Sequence, residues 1–511
     1  MKLNIKYTGK ILLVALVVLG TGCKKFLEEK DPSNLTPETY YTIPEHAEAA
    51  VAAAYAQTRF IGNGAGIFVA NFSMLEMVTG TARTETGQNS DLNNLLGLSF
   101  NGENLLVRNW WAGLYNVIAQ TNLVIEKVPA INPMDATRKA QILGEARFLR
   151  AWAYFYLVRL YGDVPLITTP QTAASPDFYP TRTGTELVYK QITDDLAAAE
   201  EAGLPWQDAS GRVSKGAVKS LLSKVYLTMA GQPLNKGAAY YKLAADKSLE
   251  VITSSGYGLF PSYADLHSLS QENKGEHIFQ IQYLATVSGN PMQQLLLPNF
   301  KNVSAYSDEI GSTVPTTKFY QSFEAGDLRA KDREGFFYTS YYTGGNGELK
   351  ALNAPYIFKH FDVVANGTLG TAGTTQSDLN WPQIRFAEVL LTYAEAQNRA
   401  DGAPNTAAYE ALNKIRRRAL IPELSGLSQT AFEEAVWRER WHELCYEGIT
   451  WFDMVRLRKV YNESTNGFDN FVGHAFAESP STVLAEKHLL FPLPSVEVKN
   501  NPNLKPQNPG Y

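Results

Sequence analysis

The stretch FEEAVWRERWHELCYEGITWFDMVRLR, Phe432 to Arg458, holds apolar residues and charges in roughly equal measure. At about 100° per residue, Phe432, Val436, Arg440, Glu443 and Glu447 fall within an arc of about 80° on a helix, while Trp437, Trp441 and Leu444 occupy another. Both faces are committed to contacts, so the helix is expected to be buried on most sides. Arg440 would then sit between carboxylates one turn away, and Arg440, Glu443 and Glu447 read as a structural ion network that offsets the loss of hydration. Gly448 stops this helix and Ile449 to Lys459 starts a second segment.

Two sharper chemistries share the same stretch. His442-Glu443 begins like H-E-x-x-H, in which two histidines one turn apart hold zinc and the glutamate activates water. Tyr446 stands at the second histidine position, and the chain has seven histidines in all, so no metal site is expected. Cys445 lies three residues after His442, the spacing of a thiolate–imidazole pair. A packed interior cysteine explains it better, because free cysteine behaves as a small hydrophobe.

At the start of the chain, Lys2, Lys6 and Lys10 precede the apolar run Ile11 to Leu19 and then Gly20-Thr21-Gly22-Cys23. That pattern reads as a secretory signal over 1–22, its core far shorter than the roughly 20 residues that span a bilayer. Small residues before a cysteine resemble a bacterial lipobox, which makes Cys23 the lipidation site and residues 23–44, with Pro32, Pro37 and Pro44, a tether. Cys445 then has no partner and no disulfide is expected. Loss of residues 1–22 removes three lysines and no acid, leaving 43 basic against 51 acidic residues, a net charge of −8. Such a balance excludes a nucleic-acid surface.

From residue 45 to 511 a single body is expected. Helical patterns cover Glu45 to Thr58, Asn109 to Val128, Lys139 to Tyr161, Glu186 to Ala202, Lys215 to Ala230, Ala238 to Ser254, Pro382 to Ala400 and Thr406 to Leu420. Paired helices joined by turns indicate a mainly α fold, a tetratricopeptide-like helical-repeat scaffold. Between 257 and 381 the helical period fades. His277 to Tyr283 and Tyr356 to Asp362 read as short strands within an irregular, loop-rich lobe, the kind of region where binding residues gather.

Several blocks resemble one family. They are Gly144 to Ala151 (GEARFLRA), Tyr161 to Leu166 (YGDVPL) and Ile384 to Ala396 (IRFAEVLLTYAEA). To these are added Arg438 to Arg440, Glu443-Leu444, Glu447-Gly448, Trp451-Phe452-Asp453 with Arg456, and, near the C-terminus, Leu493-Pro494, Asn501-Pro502 and Gln507 to Tyr511 (QNPGY). In this order they resemble the SusD/RagB family of Bacteroidota outer-membrane lipoproteins. The resemblance implies four tetratricopeptide-like helix pairs supporting the irregular lobe. It also implies a surface-exposed lipoprotein of the outer membrane that binds oligosaccharide, or occasionally peptide, and serves a SusC-like TonB-dependent transporter. Neither catalysis nor a cofactor is implied, and Arg147, Glu388 and Glu395 join Arg440, Glu443 and Glu447 as structural charges.

A sugar presents C–H groups on its ring face and hydroxyls on its edge, so its site calls for an exposed aromatic plate beside amides, carboxylates or arginine. Two stretches qualify. Arg83 to Asn94 concentrates Arg83, Gln88, Asn89, Asp91 and Asn94 without helical period, and the resemblance implies that such a loop reaches ligand. The other runs from Tyr283 to Tyr306, with Phe337 and Tyr338 in the aromatic cluster beyond it. Competing classes are a surface glycoside hydrolase, which needs two facing carboxylates, and a repeat scaffold that captures peptides in an apolar groove. Asp194-Asp195 and Glu200-Glu201 are carboxylate pairs on a helix and read as a solvated face.

Overall fold

The computed structural model describes residues 40–64, 69–296, 311–342, 348–366 and 377–511. The proposed leader, Cys23, most of the tether and Tyr306 lie outside them. Among the described residues, ten helices of eight residues or more form the scaffold. They are α1 Pro44–Gln57, α2 Leu105–Lys127, α3 Ala136–Tyr161, α4 Thr185–Glu200 and α5 Lys215–Ala230, followed by α6 Ala238–Ile252, α7 Phe386–Asp401, α8 Thr406–Arg418, α9 Gln429–Glu443 and α10 Thr450–Leu457.

Their starts are written in the sequence. Side chains of Asn104, Asp135, Ser214, Asn405 and Ser428 accept first-turn N–H groups of α2, α3, α5, α8 and α9. Gly162, at φ +73, ends α3. Four pairs result, α1 with α2, α3 with α4, α5 with α6 and α7 with α8. They stack in chain order, with α6 meeting α7 although the whole lobe intervenes in sequence. Gly144 lets α3 approach the end of α4: a Cβ there would lie 2.4 Å from that of Ala202.

The lobe is built of antiparallel two-stranded ribbons. β1 Ala82–Arg83 pairs with β3 Val314–Pro315, β2 His277–Ile281 with β6 Trp381–Arg385, and β4 Phe337–Tyr342 with β5 Leu349–Ile357. A later ribbon joins β7 Lys459–Asn462 to β8 Gly467–Asn470. Two element readings are corrected here. Pro382 to Arg385 belongs to β6, whose partner is β2, and the helix starts at Phe386; a two-stranded ribbon has only edges, where proline is tolerated. The strand expected over Tyr356 to Asp362 ends at Ile357, after which Phe358 and Phe361 turn into the lobe core.

Arg440, Glu443 and Glu447 are paired, but not as a single network. α9 stops at Glu443, and Tyr446 (φ +61) and Gly448 (φ +70) turn the chain, so Glu447 leaves the helical phase. Arg440 therefore pairs with Asp453 of α10 at 2.8 Å, with Glu388 of α7 at 3.8 Å, and not with Glu443 or Glu447. Glu447 receives Arg385 at 2.6 Å and the Lys359 ammonium, while Glu443 receives Arg418 at 2.7 Å and Arg329 at 3.3 Å. Arg329, Lys359 and Arg385 come from the lobe, Arg418 and both glutamates from the scaffold. One buried charge cluster thus fastens the two parts together. Glu388 and Glu395 belong to a second buried cluster with Arg440 and Asp453, held by Lys224 (2.6 Å) and Arg456 (2.7 Å), whereas Arg147 is half-buried and has no ionic partner among the described residues.

Other charges follow the same logic. Asp195, expected on a solvated face, is buried and bound to Arg150 at 2.7 Å, because that side of α4 packs on α3. Cys445 is interior, its thiol donating to the His442 carbonyl at 3.3 Å, and burial pushes it up to about 12. His442 instead meets the Ser322 hydroxyl at 3.0 Å through Nε2.

Candidate functional site

Arg83 ends β1 opposite Val314 and is half-buried. Its Nη2 donates to Glu85 Oε1 at 3.1 Å, and the Tyr356 hydroxyl donates to the same oxygen at 2.8 Å. The Glu85 N–H in turn donates to Gly311 O at 2.8 Å, and Gly311, at φ +54, leaves no room for a side chain against Glu85. Asn89 and Asp91 serve the backbone. The Asn89 side chain accepts the N–H of Leu92 at 2.9 Å and caps the short helix Ser90–Leu96, while Asp91 Oδ1 accepts the N–H of Leu105 at 3.1 Å, at the start of α2. Gln88 and Asn94 remain exposed. The described part of this loop therefore offers Arg83, Gln88 and Asn94 outward, on a frame held by Asn89 and Asp91.

The aromatic residues expected beside it do not form an exposed plate. Phe337 and Tyr338 are 0% and 1% exposed, and the Tyr338 hydroxyl donates to Leu296 O at 2.8 Å. Tyr338 stacks on Tyr356 with ring centroids 5.5 Å apart, and Phe358 and Phe361 complete the cluster. The lobe has few long helices from which to make a core, so its aromatics make it. Tyr283 is 8% exposed, its hydroxyl against Gly62 and without a hydrogen-bond partner among the described residues. Tyr306 lies outside the described residues.

Exposed aromatic rings occur elsewhere. Phe178 and Tyr179 are 50% and 54% exposed and meet edge to face at 5.0 Å. They stand over a groove of about 580 Å³ between α2, the α3–α4 connection and the C-terminal segment. Trp111 and Tyr115 of α2 line its floor, the Tyr115 hydroxyl donating to Pro165 O at 2.9 Å. Asn116, Gln171 and Asn500 line it too, exposed and with no side-chain hydrogen bond to a described residue. Glu497 is its one carboxylate among the described residues, held above the usual carboxylate range by burial.

The backbone that carries the rings is tied down. Asn503 Nδ2 donates to Tyr179 O at 2.7 Å, Asn501 Nδ2 to Pro180 O at 2.8 Å, and Asn122 Nδ2 to Ile167 O at 3.0 Å. The connection is thereby pinned at both ends. Asn116 lies eleven residues beyond Leu105 on α2, about 16 Å along the helix, so one helix carries both the groove and the anchor of the Arg83 loop. Sequence reading missed this place. The available signal was two adjacent aromatic residues inside the polar run QTAASPDFYPTRTG, Gln171 to Gly184, where no core requires them.

Residues 331–511 match the model of the SusD family, and residues 25–227 match a model described as starch-binding associating with outer membrane. A SusD-like protein, P2, of Formosa agariphila is 27% identical over 98% of this chain and 99% of its own. The starch-binding protein SusD of Bacteroides thetaiotaomicron is 24% identical over 99% of both chains. The crystal structure of a SusD superfamily protein from Parabacteroides distasonis superposes with a TM-score of 0.86 at 38% identity, covering 94% of this chain and 100% of that one. With the four helix pairs, the irregular lobe and matches at both ends of the chain in agreement, the chain belongs to the SusD family.

Proposed function

We propose that this protein is a non-enzymatic glycan-capture lipoprotein: lipidated at Cys23, held at the outer membrane, and delivering oligosaccharide to a SusC-like TonB-dependent transporter. The observation that carries the reading is the Phe178–Tyr179 groove. Two exposed ring faces, with Asn116, Gln171 and Asn500 beside them, offer stacking for a sugar face and planar amides for its hydroxyls. Arg83, Gln88 and Asn94 form a second polar contact surface for a longer chain. Family membership and the starch-binding relative support carbohydrate as the ligand class. Two-carboxylate hydrolysis at this groove would need a second acid facing Glu497.

The test is calorimetric titration of residues 24–511 with α-glucans, β-glucans, fructans, mannans, xylans and chitin oligomers, each mixture being assayed for cleavage. Saturable binding of a glycan without released sugar is expected. Silence across the whole panel, or cleavage, would overturn the reading.

A further inference from the structure

A second cavity, of about 600 Å³, lies between α3, α4, α10 and the C-terminal segment and shares no lining residue with the groove. On its wall Arg159 is 9% exposed, its guanidinium carbon 3.6 Å from the ring centroid of Phe155 and 3.7 Å from that of Phe452. Nε donates to Phe155 O at 2.8 Å. Nη1 and Nη2 have no partner among the described residues, and neither is sealed from the cavity. The packing rings leave a guanidinium one way to bind, through its edge, and the free edge is the two-nitrogen fork that matches a carboxylate.

The surroundings reinforce this. The Tyr189 hydroxyl and the Gln232 side-chain amide, also on the wall, make no hydrogen bond to a described residue. Arg458 and Lys487 line the rim without an ion pair among the described residues, whereas Arg456 is neutralised by Glu395 and Asp453. The lining acids are Asp163, whose Oδ1 accepts the N–H and hydroxyl of Thr185 at 2.8 Å, and Glu486. Arg159, Arg182, Arg458 and Lys487 thus outnumber the acids, in a chain whose net charge is −5. Glu388 and Asp453 act on Arg159 from a distance, but no carboxylate pairs with it directly among the described residues, and ring stacking recovers only part of the cost of removing a guanidinium from water. Burial draws Arg159 down to about 10, so it stays charged at neutral pH.

We propose that this cavity binds a carboxylate, gripped through both Nη atoms of Arg159 with the Tyr189 hydroxyl donating beside it, and that the carrier is a uronic acid unit of an acidic oligosaccharide. The cavity has the size of a small-molecule site. Val455 and Leu490 give it apolar walls for a ring, and Gln232 gives an amide for hydroxyls. The sugar carrier rests on the glycan-capture reading, whereas carboxylate recognition stands on Arg159 alone.

The test titrates residues 24–511 with trigalacturonate, its fully methyl-esterified counterpart and glutarate. Trigalacturonate is expected to bind saturably, and the ester and glutarate at least about tenfold more weakly, the value of one charge-assisted hydrogen-bond pair. Tyr189→Phe should weaken the acid several-fold, and Arg159→Met more than about tenfold. Because Arg159→Met removes a packed side chain, Tyr189→Phe and the rim double variant Arg458→Gln/Lys487→Gln, each checked by its melting profile, decide the matter if it fails to fold. Absence of acid binding, equal affinity for acid and ester, or wild-type affinity in those variants would overturn the site. Equal affinity for glutarate would overturn the sugar carrier. Binding lost in Tyr179→Ala would place the ligand in the groove and overturn this cavity, and binding of neutral glycans is read separately through the groove variants.

Discussion

Glu76 is a buried carboxylate whose Oε1 accepts the Gly448 N–H at 2.7 Å and whose Oε2 has no partner among the described residues. Burial raises it from 4.5 to about 7. A raised folded value means that folding favours the protonated form, so its contribution is full below pH 4.5 and is lost as pH rises through about 7. Glu76→Gln keeps an acceptor for Gly448 and abolishes the titration. Urea unfolding should show the variant gaining on the wild type by up to about 3 kcal/mol between pH 4.5 and pH 8; parallel pH profiles would contradict this. At the groove, Phe178→Ala and Tyr179→Ala remove exposed rings only. Each is expected to weaken glycan binding about three- to tenfold with no change in melting temperature, measured by titration and calorimetry. Residue type alone separated these rings poorly from others. Phe337 and Tyr338 stand in an equally aromatic stretch, yet strand pairing turns them inward, and that depends on partners distant in sequence. Asn89 and Asp91 looked like ligand-facing polar groups because a cap and a ligand contact use the same side-chain chemistry.

Among the elements, the cluster around Glu443 and Glu447 connects lobe and scaffold. Glu447→Gln leaves Arg385 and Lys359 short of a counter-charge in the interior, which should cost about 3–5 kcal/mol of unfolding free energy. The two cations hold the Glu447 carboxyl far below 4.5, against the opposing effect of burial. Its contribution is therefore present above pH 4.5 and is lost progressively as pH falls below it. Denaturant titrations at pH 7 and pH 3 should show the Gln variant far closer to the wild type at the lower pH. Most helices were legible from apolar period, caps and glycine stops, as α3 illustrates with Asp135 before it and Gly162 after it. The wiring of Arg440 was not. One turn along a helix is a local rule, and it fails when the helix ends three residues after Arg440 and the chain reverses at Tyr446. Likewise Pro382 to Arg385 shares its apolar character with the helix that follows, and only pairing with His277–Ile281 makes it a strand.

As a whole molecule, the chain stacks four helix pairs in order and gathers the remaining aromatics into a lobe. That division was visible in the sequence as a loss of helical period between 257 and 381, and the blocks from Gly144 to Tyr511 pointed to the family that the comparisons identify. The groove was not visible, because it is assembled from α2, the α3–α4 connection and the C-terminal segment, which are far apart in the chain. A rigid scaffold presenting pinned rings suits capture, in which affinity comes from a preformed surface rather than from closure. The central claim is glycan capture without cleavage at that surface. It is tested most directly by titrating wild type and Phe178→Ala/Tyr179→Ala against the glycan panel while assaying each mixture for released sugar. The account predicts saturable binding of a glycan by the wild type, at least about tenfold weaker in the double variant, with no product. Cleavage, or binding indifferent to the loss of both rings, would contradict it.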